Sequence, residues 1–508
     1  MRFEYRPIPT LPRLAWCAEL SRGSDTARVT HGPAVETARS HFSDGAWDGE
    51  FAEGRPDVAA VCMGMGGVAG EGKWTFVTPD HPMEGLYAWH DEGRLLVSPS
   101  LVFLLCESGQ RLDSNLPCYQ SIMYKFISGI GSGVGRLPLA RGRHFDVYRL
   151  RILEIGTDLS LKARLKPDPP AFRDFTQYRE YLQEKLSLLN ANATSAARTI
   201  KFEPLCTASS GYDSVASAAL ASKAGCREAV TIRTARPAAS GAHSLDDSGV
   251  AAASSLGMSV EEFDRDAYLR VDGTPEAEFV SAGDLGQDVV LTAFESKLSN
   301  RLVVTGLHGD VVWSKKLPHR PKRDIIRLDP GGASLGEFRM RVGFVHVPVP
   351  IIGAKNFPDI FRISRSPEMK PWTLNTKHDR PVPRRIAEEC GVPRDAFGQY
   401  KRAVTVLLNS EERLASMMNP ISRASFDEFY RERRHERHPS TQRLYNVGYR
   451  LHSAFDWLLS KPNAALHRFN TGLTLPNPLT SRFAHDPGKP SFLLFWGVEL
   501  LASRYKTD

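Results

Sequence analysis

The sequence predicts a two-part fold: a β-rich first part ending near residue 170, then an α/β part on a parallel, doubly wound sheet. Three observations carry this. Up to about Leu165, short strand-like runs alternate with turns; Lys166-Pro167-Asp168-Pro169-Pro170 then interrupts the pattern as a stiff linker; beyond it, apolar runs alternate with helix-like ones. A chain of 508 residues is too long for one compact core, so two domains are expected, 1–170 (α+β) and 171–508, the second with a helical C-terminal portion.

In the first part, Leu86 to Trp89 and Arg94 to Val97 flank Asp91-Glu92-Gly93, a hairpin signal. Gly64-Met65-Gly66-Gly67-Val68-Ala69-Gly70 imitates a dinucleotide fingerprint, but Gly72-Lys73-Trp74 follows instead of a helix. A glycine-rich loop between strands is the simpler expectation. Past the linker, Phe175, Tyr178, Leu182, Leu186 and Leu189 recur at helical spacing. Next come strand 202–208, helix 215–224, strand Ala229 to Arg233, helix Asp246 to Leu256, strand Ser259 to Phe263, helix Val289 to Leu298 and strand Leu302 to Thr305. That order predicts parallel strands joined by crossover helices, with ligands bound at the carboxyl ends of the strands. The mixed-sign stretch Arg431 to His438 follows Phe426, Phe429 and Tyr430 and is expected to be the solvated face of a helix. Ser491 to Leu501, interrupted by Glu499, is expected to be a buried terminal helix.

Composition excludes several classes. An apolar fraction of 42% with 9% aromatics is that of a globular protein, and a net charge of +7 is too small an excess to argue for a nucleic-acid partner. Seven scattered cysteines without C-x-x-C spacing suit reduced thiols. The first residues lack an apolar signal core and no run reaches spanning length without a charge, so a cytoplasmic protein with no membrane partner is expected.

The chemistry concentrates in Ser209-Ser210-Gly211-Tyr212-Asp213-Ser214, where a buried strand gives way to a helix. Small residues let backbone N–H groups converge, the helix N-terminus adds positive potential, and Asp213 supplies a hard oxygen for Mg²⁺. Gly306-Leu307-His308-Gly309-Asp310 repeats the arrangement after a second strand. Asp213 and Asp310 could thus share one metal on a polyphosphate.

These two loops resemble the pyrophosphate-loop motifs of the asparagine synthetase superfamily, S-G-G-x-D-S and G-x-G-x-D, with Ser210 in place of the first glycine and His308 and Gly309 in the second motif. The resemblance implies an adenine-nucleotide alpha-hydrolase-like synthetase domain preceded by a degenerate class II glutamine amidotransferase, an Ntn-like domain. It implies ATP and Mg²⁺ as cofactors, with adenylation of a carboxylate followed by attack of an amine. By it, Ser209, Ser210, Gly211, Tyr212, Asp213, Ser214 and Gly306 hold ATP and its pyrophosphate, Asp213 and Asp310 hold the metal, and Lys401 contacts the transition state, with Arg380 and Arg384 as helpers. The implied partner is a small molecule or peptide with a free carboxylate, and a leader peptide, carrier or partner protein fits the same pattern.

Departures from the family narrow the expectation. Its glutaminases need cysteine after the initiator methionine; this chain has Arg2, and Cys17 lies inside an apolar run. Glutamine-derived ammonia is therefore not expected, as in the β-lactam synthetases and lasso-peptide cyclases of the same superfamily. Leu307 stands where relatives place Glu or Tyr near the amine, which leaves His308 as the expected base, with Tyr400 and Glu368 as unranked alternatives. The expected activity is an AMP-forming amide ligase, acting by cyclisation or on a non-glutamine amine. An inactive nucleotide-binding scaffold and an ammonia-dependent asparagine synthetase are the alternatives.

Overall fold

The computed structural model describes residues 1–129, 133–235, 246–315, 323–324, 331–374, 379–398, 404–468 and 475–507. Through Leu165 the chain builds two facing sheets. One has seven strands, in the order Arg2–Pro7, Thr26–His31, Trp16–Ser21, Arg94–Ser98, Leu86–Asp91, His144–Tyr148, Val134–Pro138. The other has six, in the order Leu161–Leu165, Arg151–Ile155, Trp74–Val77, Gly66–Ala69, His41–Ser43, Glu36–Thr37. Neighbours are antiparallel except Arg2–Pro7 and Thr26–His31. Inward-facing side chains of both sheets form one core, where Trp16 and Phe3 meet Phe42 edge-on at centroid distances of 4.9 and 5.1 Å.

The hairpin at Asp91 forms as expected. The glycine-rich stretch does not stay a loop: Gly66–Ala69 is a strand between His41–Ser43 and Trp74–Val77. A side chain on Gly66 would overlap the Phe42 carbonyl, so glycine serves close strand approach there. Lys166 is also more than linker; it is buried, its Nζ is 2.8 Å from Asp80, and Lys355 Nζ donates to its carbonyl at 2.6 Å.

The second part holds a five-stranded sheet of β1 (Glu203–Ala208), β2 (Glu228–Ile232), β3 (Ser259–Phe263), β4 (Arg301–Thr305) and β5 (Val345–Pro348). The order is β3-β2-β1-β4-β5 and every pairing is parallel. Alternate side chains enter different cores: Cys206, Leu302 and Val304 one, Leu205 and Val303 the other. Both faces of the central strands are therefore covered, which is why they read as continuous apolar runs. The chain runs outward from β1 to β3, then crosses to β4, so the order reverses between β1 and β4. That gap is where such sheets receive ligands.

Helices Tyr212–Lys223 and Val250–Ser255 follow β1 and β2. The expected helix at Val289 is a 3₁₀ segment, Val289–Lys297, broken at Phe294. Helix Pro420–Arg433 packs Phe426 against Trp496 of the terminal helix Leu493–Ala502. The stretch from Arg431 is not uniformly solvated: Arg437 is buried over Phe492 and donates to the Pro487 carbonyl at 2.9 Å. None of the seven cysteines is in a disulfide, and no helix among the described residues is long and apolar enough to cross a membrane.

Candidate functional site

β1 delivers the chain to Ser209-Ser210-Gly211, and Gly211, extended at φ −82° and ψ 156°, turns it into helix Tyr212–Lys223. The helix N-terminus thus opens at the sheet edge beside the switch point, where first-turn N–H groups concentrate positive potential. The Ser209 and Ser214 hydroxyls lie 2.7 Å apart, and Gly211 N donates to Ser209 Oγ at 3.1 Å. Ser210, which replaces glycine of the resembling motif, donates from Oγ to Asp247 Oδ1 at 2.7 Å and from N to the Asp247 carbonyl at 3.0 Å. Its hydroxyl pins the first loop to the loop after β2. The sequence does not mark Asp247, because nothing local points to a partner in the loop after another strand.

The loop after β4 meets the first loop through glycines. A Cβ on Gly306 would overlap the Asp213 carbonyl carbon and lie 2.5 Å from Ser214 N, and one on Gly309 would overlap the Asp213 carboxyl. Asp310 follows in the first turn of the short helix Gly309–Val312. The two loops are therefore in direct contact at Asp213, and neither glycine leaves room for a side chain. The donor set there, two carboxylates and loop hydroxyls, has the hard-oxygen character that Mg²⁺ requires. Asp213 Oδ2 accepts from Arg380, so the guanidinium must turn from it for Asp213 to take the ion; the two carboxylates and the loop hydroxyls then fit it.

Arg380 closes the corner. It precedes helix Pro381–Glu389, its side chain is 14% exposed, and its Nη1 donates to Asp213 Oδ2. Burial disfavours its charge, but Asp213, with Asp310 beside it, holds the guanidinium above its ordinary range. Asp379, next to it, accepts from Lys315 Nζ at 3.4 Å. Lys315 is thus a second cation at this edge that the sequence did not single out.

Arg384 and Tyr212 have other tasks. Arg384 is 1% exposed, lies over Tyr212 and Phe397 at 5.0 and 5.3 Å, and donates from Nη2 to the Tyr212 hydroxyl at 2.7 Å. The Tyr212 ring packs among Val215, Ala387 and Phe397, so what this residue can offer the loop is its backbone N–H. Gly398, at φ 69°, donates its N–H to the Ser210 carbonyl at 2.7 Å, and a side chain there would come within 2.5 Å of the Tyr212 ring. Glu368 accepts from Arg385 Nη1 at 3.0 Å and from Phe175 N at 3.3 Å, which ties it to packing and not to the loops. Lys401 and Tyr400 lie outside the described residues.

His308 is buried with φ 74°, a left-handed conformation that costs a non-glycine residue about 1 kcal/mol or more. It borders a small cleft of about 40 Å³ between the two parts, walled by Val61 and Pro82 on one side and Tyr181 and Ile351 to Lys355 on the other. That space is enough for a few water molecules.

Two further groups belong to the junction of the parts. Donor atoms of His81, Glu84 and His346 come within 4.8 Å of one another. Arg339, however, donates to Glu84 Oε2 at 2.7 Å, and its guanidinium opposes a divalent cation there. With Thr305 Oγ1 2.9 Å from His346 Nε2 and burial holding both imidazoles neutral, this is a polar clasp between the parts. At the chain start, Arg2 Nε donates to Thr26 Oγ1 at 2.7 Å, and Cys17 is buried with its thiol pushed far up by burial. That burial withholds the Cys17 thiol as a nucleophile.

No family model matches the chain, and neither does any curated protein.

Proposed function

We propose that the protein is an ATP-dependent, AMP-forming amide ligase. The observation that carries this reading is the contact of two strand-end loops at the β1/β4 switch point, which brings Asp213, Asp310 and Arg380 together at a helix N-terminus. Backbone N–H groups of Tyr212 to Ser214 at the helix N-terminus would cradle the β- and γ-phosphates, and Asp213 and Asp310 would hold Mg²⁺. The ion, when bound, neutralises charge developing on the departing pyrophosphate.

A substrate carboxylate oxygen attacks the α-phosphorus and the bond to pyrophosphate breaks. An amine nitrogen then attacks the acyl carbon, AMP leaves, and the amine gives up a proton. Arg380 stabilises the phosphoryl oxygens during the first step. His308, in the second loop, takes the proton as the amine attacks. With the Cys17 thiol buried and pushed up, the amine in this reading comes from a source other than glutamine hydrolysis at Cys17. Exchange of labelled pyrophosphate into ATP, dependent on Mg²⁺ and on pooled carboxylic acids, tests the reading; exchange retained in Asp213→Ala would overturn it.

A further inference from the structure

Helix Pro439–Arg468 carries an unusual surface. Tyr445 and His452 turn towards the body of the protein and are buried. About a quarter-turn away, Leu444, Val447, Leu451, Phe455 and Leu458 recur at steps of three and four residues, which places them on one face. They are 61%, 57%, 49%, 36% and 57% exposed, and Trp457 beside them is 71% exposed. The stripe runs for about 21 Å at 1.5 Å per residue.

Its border is charged with one sign. Arg443, Arg450 and Lys461 follow each other along one edge and are exposed. The helix has a single acid, Asp456, which lies off the stripe, 3.2 Å from His452 Nδ1, and accepts from Asn477 Nδ2 at 2.7 Å. Two copies paired through this stripe would oppose cationic edges with no acid to offset them. An apolar row edged by a tryptophan and by long cationic chains that can reach outward is instead the pattern that lies in a bilayer interface.

We infer that helix Pro439–Arg468 seats the protein on an anionic lipid surface, with Leu444 to Leu458 in the acyl boundary and Arg443, Arg450 and Lys461 among the headgroups. This departs from the expectation of no membrane partner, which rested on the absence of a spanning run, and it is independent of the adenylation reading.

The test is co-sedimentation of the full chain with vesicles of phosphatidylcholine alone and of phosphatidylcholine mixed with phosphatidylglycerol. Binding is expected to the mixed vesicles and to weaken with salt. Trp457→Ser/Leu458→Ser and Arg443→Glu/Arg450→Glu, both at exposed positions, should each bind at least about ten-fold more weakly with an unchanged melting temperature. No binding to mixed vesicles, or binding by both variants as tight as that of the unaltered chain, would overturn the inference. So would a dimer in light scattering that the first variant dissolves, which would assign the stripe to a second copy.

Discussion

Arg380 donates to the carboxylate of Asp213 across 167 residues of sequence, and that bond joins the first phosphate loop to the start of helix Pro381–Glu389. It places the guanidinium beside the groups that would hold Mg-ATP. Arg380→Ala is expected to lower pyrophosphate exchange about 10²-fold, the usual loss when one preorganised charge donor is removed, and Arg380→Lys to recover part of it. An unchanged exchange rate in Arg380→Ala would remove this residue from the site.

Gly309→Ala should separate binding from folding. The added methyl overlaps the Asp213 carboxyl, so the loops must move apart where the metal would sit. Overpacking of this kind costs about 1–3 kcal/mol of stability. Titration calorimetry is expected to show Mg-ATP affinity lost while the melt remains cooperative; full affinity would show that the two loops need not touch.

Arg384 offers a contrast, because its partners make it a packing residue. Arg384→Ala removes a fully buried cation from over Tyr212 and from Glu388, 3.1 Å away, and should destabilise by about 3 kcal/mol. Tyr212→Phe removes one hydrogen bond and should cost about 1 kcal/mol with exchange activity intact at low temperature. Denaturant melts of both variants check the ranking.

Two buried groups give stability opposite dependences on pH. Burial, reinforced by Asp288, pushes the Asp284 carboxyl up to about 7, whereas an unfolded aspartate titrates near ~3.9. The native state therefore holds an extra proton between these values, and the stabilisation from it is complete below about 4 and lost as pH rises towards 7. Asp284→Asn should remove a slope of up to about 1.4 kcal/mol per pH unit in that window. His346 acts in reverse: burial, with Arg339 nearby, pulls it down to about 3, so the unfolded chain alone takes up the proton below ~6.5. Its contribution is complete above that value and lost as pH falls, and His346→Gln should flatten the acid side of a melting-temperature profile. Profiles that keep both slopes in the variants would refute these assignments.

The sheet shows where local pattern sufficed. β1 to β4 lie within a residue or two of the expected strands; β1, β2 and β4 are apolar runs covered on both faces, and the edge strand β3 shows only Val260 and Phe263 to the cores. β5 was not expected, since Val345–Pro348 is four residues long and runs straight into a proline-containing turn. Gly66–Ala69 escaped because glycine weakens a strand signal, although close approach of Phe42 demands it there. The 3₁₀ break at Phe294 has no mark in the apolar spacing that suggested a helix.

The phosphate loops were legible because strand, small-residue turn and helix start are adjacent in sequence and interact within a few residues. By itself the sequence determined which backbone and carboxylate groups stand at the strand ends. Tertiary structure alone decided that Arg380 meets Asp213, that Asp247 holds Ser210, that Arg384 belongs to the core, and that Leu444 to Leu458 face outward. The physical reason is range: loop chemistry follows from neighbouring residues, whereas these contacts depend on how distant elements pack, which no local pattern encodes.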